Sequence, residues 1–134
     1  MRIASSVGLY GLVFWLIMGC GTSKMTFPIS TVVPAAEVEV KVKKDDNDNY
    51  GIQLKAKYLA SPQRLSPSKR TYVLWAKTAE SGVKNIGQLT SEASRTVQFK
   101  TSIPYRPIQF FITAEDDATV QWPSYQELMR TNVF

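Results

Sequence analysis

EVEVKVKKDDNDNYGIQLKAKY, residues 37–58, alternates with a period of two on either side of an Asp- and Asn-rich centre. Val38, Val40 and Val42 alternate with Glu37, Glu39, Lys41 and Lys43; after the centre, Ile52, Leu54, Ala56 and Tyr58 alternate with Gln53, Lys55 and Lys57. Side chains of an extended chain point to opposite faces in turn, so both halves are strands with one apolar and one charged face. The bend from Lys44 to Gly51 closes them into a hairpin. Asp45, Asn47 and Asn49 place oxygens at alternate positions, as a calcium loop does, but such a loop needs Gly sixth and Glu twelfth. Tyr50 and Ala56 stand there instead. Asp and Asn suit a turn through side-chain bonds to the backbone and tolerance of left-handed φ, which accounts for the segment without a metal.

A hairpin with one apolar face needs cover, and the chain beyond it supplies more strands. Ser61 to Lys69 holds Pro62 and Pro67 and is a long connection of the kind that carries a chain from one sheet to another. Tyr72 to Lys77 is apolar on both faces, which predicts a central, covered strand. Glu80-Ser81-Gly82 is a turn leading into Val83 to Leu89, with Ile86 and Leu89 inward. Ser94 to Thr101 alternates again, Pro104 and Pro107 break the chain, and Ile108 to Ala114 is a further apolar strand. Tyr125 to Phe134 fits a last strand or a short helix. Turns at this spacing predict an all-β fold, an Ig-like antiparallel β-sandwich of about seven strands.

The chain has 134 residues, 44% hydrophobic and 20% charged, which is enough for one globular domain. It has no histidine and one cysteine, Cys20, so an intramolecular disulfide is excluded, and so are Ser-His-Asp and Cys-His constellations and His/Cys metal sites. Serine–lysine and paired-carboxylate chemistry stay open in principle. Glu115, Asp116 and Asp117 offer carboxylates, but neighbours on a strand face opposite ways, and the cluster reads as a turn between the last two strands. No catalytic residue, cofactor or metal is assigned, and an enzyme is not expected. From Lys24 onward there are 15 basic and 11 acidic side chains. Lys41, Lys43, Lys44, Lys55 and Lys57 fall largely between apolar positions, the pattern of a solvated sheet face.

The first residues have the three parts of an export signal: Met1-Arg2, an apolar run from Val7 to Met18, and small residues from Gly19 to Ser23. With Ile3 to Ser6 added, the run is almost long enough for an uncleaved anchor helix, the alternative reading. Ile17-Met18-Gly19-Cys20 resembles the lipobox of bacterial lipoproteins, with Met18 departing from the small residue usual there. That resemblance implies a helical signal peptide over 1–19, a diacylglycerol on the Cys20 sulfur, cleavage before Cys20, and a partner in the membrane itself. Residues 20–36, containing Pro28 and Pro34, read as the lipidated cysteine and a tether, leaving 37–134 as the sandwich domain. The absence of an acidic run after Cys20 points to the periplasmic face of the outer membrane.

Tyr72-Val73-Leu74-Trp75, Gly87-Gln88-Leu89, Phe111-Ile112-Thr113-Ala114-Glu115 and Pro123-Ser124 together resemble the extracytoplasmic domain of anti-sigma-K factors, over roughly residues 70–125. The resemblance implies an Ig-like sandwich outside the membrane, with Trp75 in the core. It does not carry over sigma-factor binding, which in that family belongs to a domain ahead of the membrane helix; only a few residues precede the apolar run here. Tyr105, Trp122 and Tyr125 flank prolines in loops and are the candidate contacts for an envelope protein or a glycan, unless they plug the ends of the sandwich. An exported, lipid-held domain is not expected to meet nucleic acid. The expected function is that of a non-enzymatic structural or interaction module, with a glycan- or small-ligand-binding domain or an envelope-stress sensor as alternatives.

Overall fold

Eight strands form two four-stranded antiparallel sheets in the computed structural model, which describes residues 21–90 and 96–134. The first sheet, sheet A, contains β1 (Thr22–Thr26), β2 (Glu37–Lys44), β3 (Tyr50–Lys57) and β6 (Thr96–Ile103), in the order β1-β2-β3-β6. Sheet B contains β4 (Thr71–Thr78), β5 (Val83–Leu89), β7 (Pro107–Glu115) and β8 (Glu127–Arg130), in the order β5-β4-β7-β8. The fold is the expected Ig-like β-sandwich in architecture, with a strand order of its own.

Period-two alternation turns one face of sheet A inward. Val38, Val40, Val42, Ile52, Leu54 and Ala56 are buried there and meet Tyr72, Leu74, Ala76, Phe110, Ile112 and Ala114 of sheet B. The β2–β3 hairpin pairs in continuous register from Glu37↔Lys57 to Lys44↔Tyr50. Its turn is closed by Asp45 Oδ1, which accepts from the Asn47 and Asn49 amides at 2.8 and 2.9 Å. Asp48, the one turn residue at positive φ (63°), occupies the left-handed region that Asp tolerates. The carboxylate that a calcium loop would aim at an ion is thus committed to the backbone.

β4 is central in sheet B, between β5 and β7, and every residue of it except Lys77 is buried. Its even positions enter the main core, while Val73 and Trp75 form a second apolar cluster with Phe111 on the outer side of the sheet. The Trp75 and Phe111 rings stack at 6.1 Å. The connection 58–70 takes the chain from sheet A to sheet B, as the two prolines indicated, and Tyr72 Oη donates to the Ala60 carbonyl there at 2.6 Å. The tail is a strand: β8 pairs with β7, and beyond it the Thr131 and Phe134 amides donate to the carbonyls of Phe110 and Ile108.

One boundary differs from expectation. The sandwich begins at Thr22 and not at Glu37, because β1, inside the stretch read as a tether, pairs with β2 from Thr22↔Lys43 to Thr26↔Glu39. An edge strand gains its backbone bonds from one neighbour and needs little apolar surface, and only Met25 of β1 is partly buried. TSKMT therefore carries no apolar alternation to betray it. The following turn also belongs to the domain. Phe27, Val33 and Ala36 join the core, and Ser30 Oγ accepts from the Val32 and Val33 amides and donates to the Leu128 carbonyl at 2.7 Å. That contact links the open edge of sheet A to β8. The eighth strand, beyond the seven expected, is β1. The signal peptide over 1–19 and Cys20 lie outside the described residues.

Candidate functional site

The three candidate aromatics separate along the sandwich. β7 runs nine residues from Pro107 to Glu115; Tyr105 precedes its start, whereas Trp122 and Tyr125 follow its end. At about 3.3 Å per residue, roughly 27 Å of strand lies between those ends. Tyr105 is half buried, packs against the main core, and has Lys84 Nζ 5.1 Å from its ring centroid. It plugs the end near Thr22. Trp122 and Tyr125 are 79% and 86% exposed, far above what core aromatics show.

Their loop, residues 116–126, is held by a specific set of bonds. It folds back over the outer face of sheet B, where Val120 packs on the Val73, Trp75 and Phe111 cluster. Asn85 Nδ2 donates to the carbonyls of Ala118 and Val120 at 2.9 and 2.8 Å. Asp117 Oδ1 accepts from the Thr119 amide and hydroxyl at 2.8 and 2.7 Å, bonds that hold its carboxyl below the usual range. Beneath the loop runs a buried relay: Trp75 Nε1 donates to Thr113 Oγ1 at 2.8 Å, and Thr113 Oγ1 donates to Glu115 Oε2 at 2.6 Å. Glu115 Oε2 also accepts from the Ser124 amide at 2.9 Å, and Ser124 Oγ donates to the Ala114 carbonyl at 3.1 Å. Pro123 and Ser124 are thereby fixed, and the two rings that flank them are displayed on an ordered loop.

The carboxylates at 115–117 do not converge. Glu115 is buried in the relay, Asp116 forms an ion pair with Lys69 at 3.5 Å, and Asp117 caps its own turn. Among the described residues, no three His, Cys, Asp or Glu side chains are grouped to hold a metal ion.

A second surface emerges only from the register. On the outer face of sheet A, Lys24 pairs with Lys41, Lys41 with Gln53, and Gln53 with Lys100, making one row across all four strands. Adjacent rows add Lys43, Lys55 and Lys57. Lys24 Nζ meets Glu39 at 3.1 Å, and this bond, with the nearby charges of Lys41 and Lys55, lowers the Glu39 carboxyl from its ordinary value. The alternation in β2 and β3 announced Lys41, Lys43, Lys55 and Lys57 as part of a solvated face. Lys24 and Lys100 lie outside the hairpin, and nothing in the sequence aligns them with Lys41.

The fold defines the class of protein as an all-β, two-sheet sandwich with an aromatic loop on one outer face and a lysine-rich opposite face. Compared with known proteins, the chain matches no family model, and no curated protein aligns with it significantly.

Proposed function

We propose that this chain is an envelope lipoprotein, anchored through acyl chains on Cys20, whose sandwich works without catalysis as a protein-interaction module. The observation that carries the reading is the pair Trp122 and Tyr125, held almost fully exposed on a loop that the relay and Asn85 keep ordered. Exposed aromatics on a rigid support are the usual anchors of a partner contact, because little rotamer entropy is lost on binding. The lipobox-like Ile17-Met18-Gly19-Cys20 supports the anchor, and β1 begins only two residues beyond it. Kinship to the extracytoplasmic domain of anti-sigma-K factors is supported by the fold and by where its landmarks fall: YVLW in β4, GQL in β5 and ITAE in β7.

The same two rings suit stacking on sugars, so a glycan-binding role is the second reading; Tyr105 takes no part in either. A photo-crosslinker at position 122 or 125 should trap an envelope protein, whereas one at position 105 should not. Quenching of Trp122 emission by cell-wall polysaccharide with no protein adduct would favour the glycan. If Trp122→Ala with Tyr125→Ala changes neither result, the interaction reading is refuted. For the anchor, globomycin should cause a larger precursor to accumulate, and Cys20→Ala should abolish acyl labelling; unchanged attachment and labelling in Cys20→Ala would mean an uncleaved helix holds the protein.

A further inference from the structure

We infer that the outer face of sheet A lies flat against the anionic phospholipid headgroups of the leaflet that holds the Cys20 acyl chains. This rests on the lipid-anchor reading and adds to it a docking surface and an orientation.

Charge is segregated on the molecule. The described residues include 14 Lys and Arg and 10 Asp and Glu; removing the six lysines and two glutamates of this face leaves eight of each. The face, with Lys24, Lys41, Lys43, Lys55, Lys57 and Lys100 against Glu37 and Glu39, and with Asp45 bordering the groove beside Lys41, Lys43 and Lys100, therefore carries most of the net charge of the described domain. Glu39 is already matched by Lys24. Strands about 4.8 Å apart spread the row from Lys24 to Lys100 over roughly 14 Å of pleated surface. Lys24 and Lys41 sit directly opposite each other, a like-charge pairing that the Glu39 carboxylate beside them offsets in part.

Gly21 lies at a corner of this face, in a groove it shares with Lys44 of β2 and with Arg106, Pro107 and Phe134 at the end of sheet B. Cys20 is separated from Thr22 by Gly21 alone, so the two Cα atoms are at most about 7.6 Å apart. Thr22 pairs with Lys43 at the corner of the lysine face. A leash of that length keeps the corner within about one Debye length, roughly 8 Å at physiological salt, of the surface where the acyl chains enter. Ile29, 82% exposed, borders a groove on the same face with Lys55, Lys57 and Glu37. An apolar side chain beside a basic cluster suits a headgroup interface, where acyl anchors and basic patches act together. In this orientation sheet B faces away from the bilayer, and the loop with Trp122 and Tyr125 is presented to partners.

The test uses the lipidated full-length protein in vesicles of phosphatidylcholine alone or mixed with phosphatidylglycerol, with a water-soluble amine-reactive ester and residue-level mass spectrometry. Lys41, Lys55, Lys57 and Lys100 should react roughly fivefold more slowly on the anionic vesicles, the bias expected from the attraction of a single lysine to such a surface. Lys77 and Lys84, on sheet B, should react alike on both, and high salt should erase the difference. In Lys41→Glu with Lys100→Glu, both surface changes, Lys55 and Lys57 should lose their protection while near-UV circular dichroism stays native. Equal reactivity on both vesicles, in protein whose intact mass shows the acyl chains, would overturn the lysine-face inference and leave the anchor standing. Protection by a soluble acidic polysaccharide but not by phosphatidylglycerol would also overturn it. Protein without acyl mass on Cys20 would refute the anchor reading, and the inference with it.

Discussion

Thr113→Val isolates the buried relay, because it replaces a hydroxyl by a methyl of similar volume and opens no cavity. Thr113 and Trp75 are both fully buried. Removing Oγ1 leaves the Trp75 indole N–H without its acceptor, and an unpartnered buried donor costs about 1–3 kcal/mol. The bond from Thr113 to Glu115 is lost as well, worth about 1 kcal/mol net, while Glu115 keeps the Ser124 amide. The expected total is about 2–4 kcal/mol, a large share of the 5–15 kcal/mol typical of a domain. At roughly 4 °C per kcal/mol for a chain of this size, the melting temperature should fall by about 8–16 °C. Thr113→Ser is the control: it keeps the hydroxyl and loses one methyl, costing about 1 kcal/mol. Urea unfolding followed by tryptophan fluorescence measures both, and amide exchange at Ser124, faster in the valine variant alone, reports the loosened loop. A valine variant within about 0.5 kcal/mol of wild type, or equal to the serine variant, would show that the relay does not hold this face of the protein.

Gly87 has φ +154°, and a Cβ there would sit 2.2 Å from Phe99 Cζ, so Gly87→Ala should destabilise the β5–β6 edge by about 2–3 kcal/mol. Adding Phe99→Ala should recover part of that loss in the same urea assay; no recovery would place the cost wholly in the backbone. Burial pushes the Tyr72 phenol up to about 12 from its ordinary 10.0. The folded state thus holds this proton more tightly than the unfolded chain does, so stability should be intact below pH 10 and decline as pH rises towards 12. Tyr72→Phe should flatten the melting temperature over that window, while losing the bond to Ala60 at every pH.

The layering of the sandwich is legible in the chain's own alternation. Alternation in 37–58 and the double-sided apolarity of Tyr72–Ala76 specify a half-exposed hairpin and a covered central strand, because the two-residue period of an extended chain ties each position to a face. The turn at Asp45, whose side chain closes it locally, and the connection between sheets at Ser61–Lys69 are likewise legible in the sequence. Local patterns like these involve neighbours in the chain. Features that depend on pairing between distant segments emerge only in the folded chain. TSKMT becomes a strand because β2 has a free edge for it, and Tyr105 parts company with Trp122 and Tyr125 because β7 spans the molecule between them. Lys24, Lys41 and Lys100 come into one row because backbone hydrogen bonds set the register of β1, β2, β3 and β6. A slip of one residue would turn those lysines into the core, and it is the burial of Val38, Val40 and Val42 on the other face that forbids it.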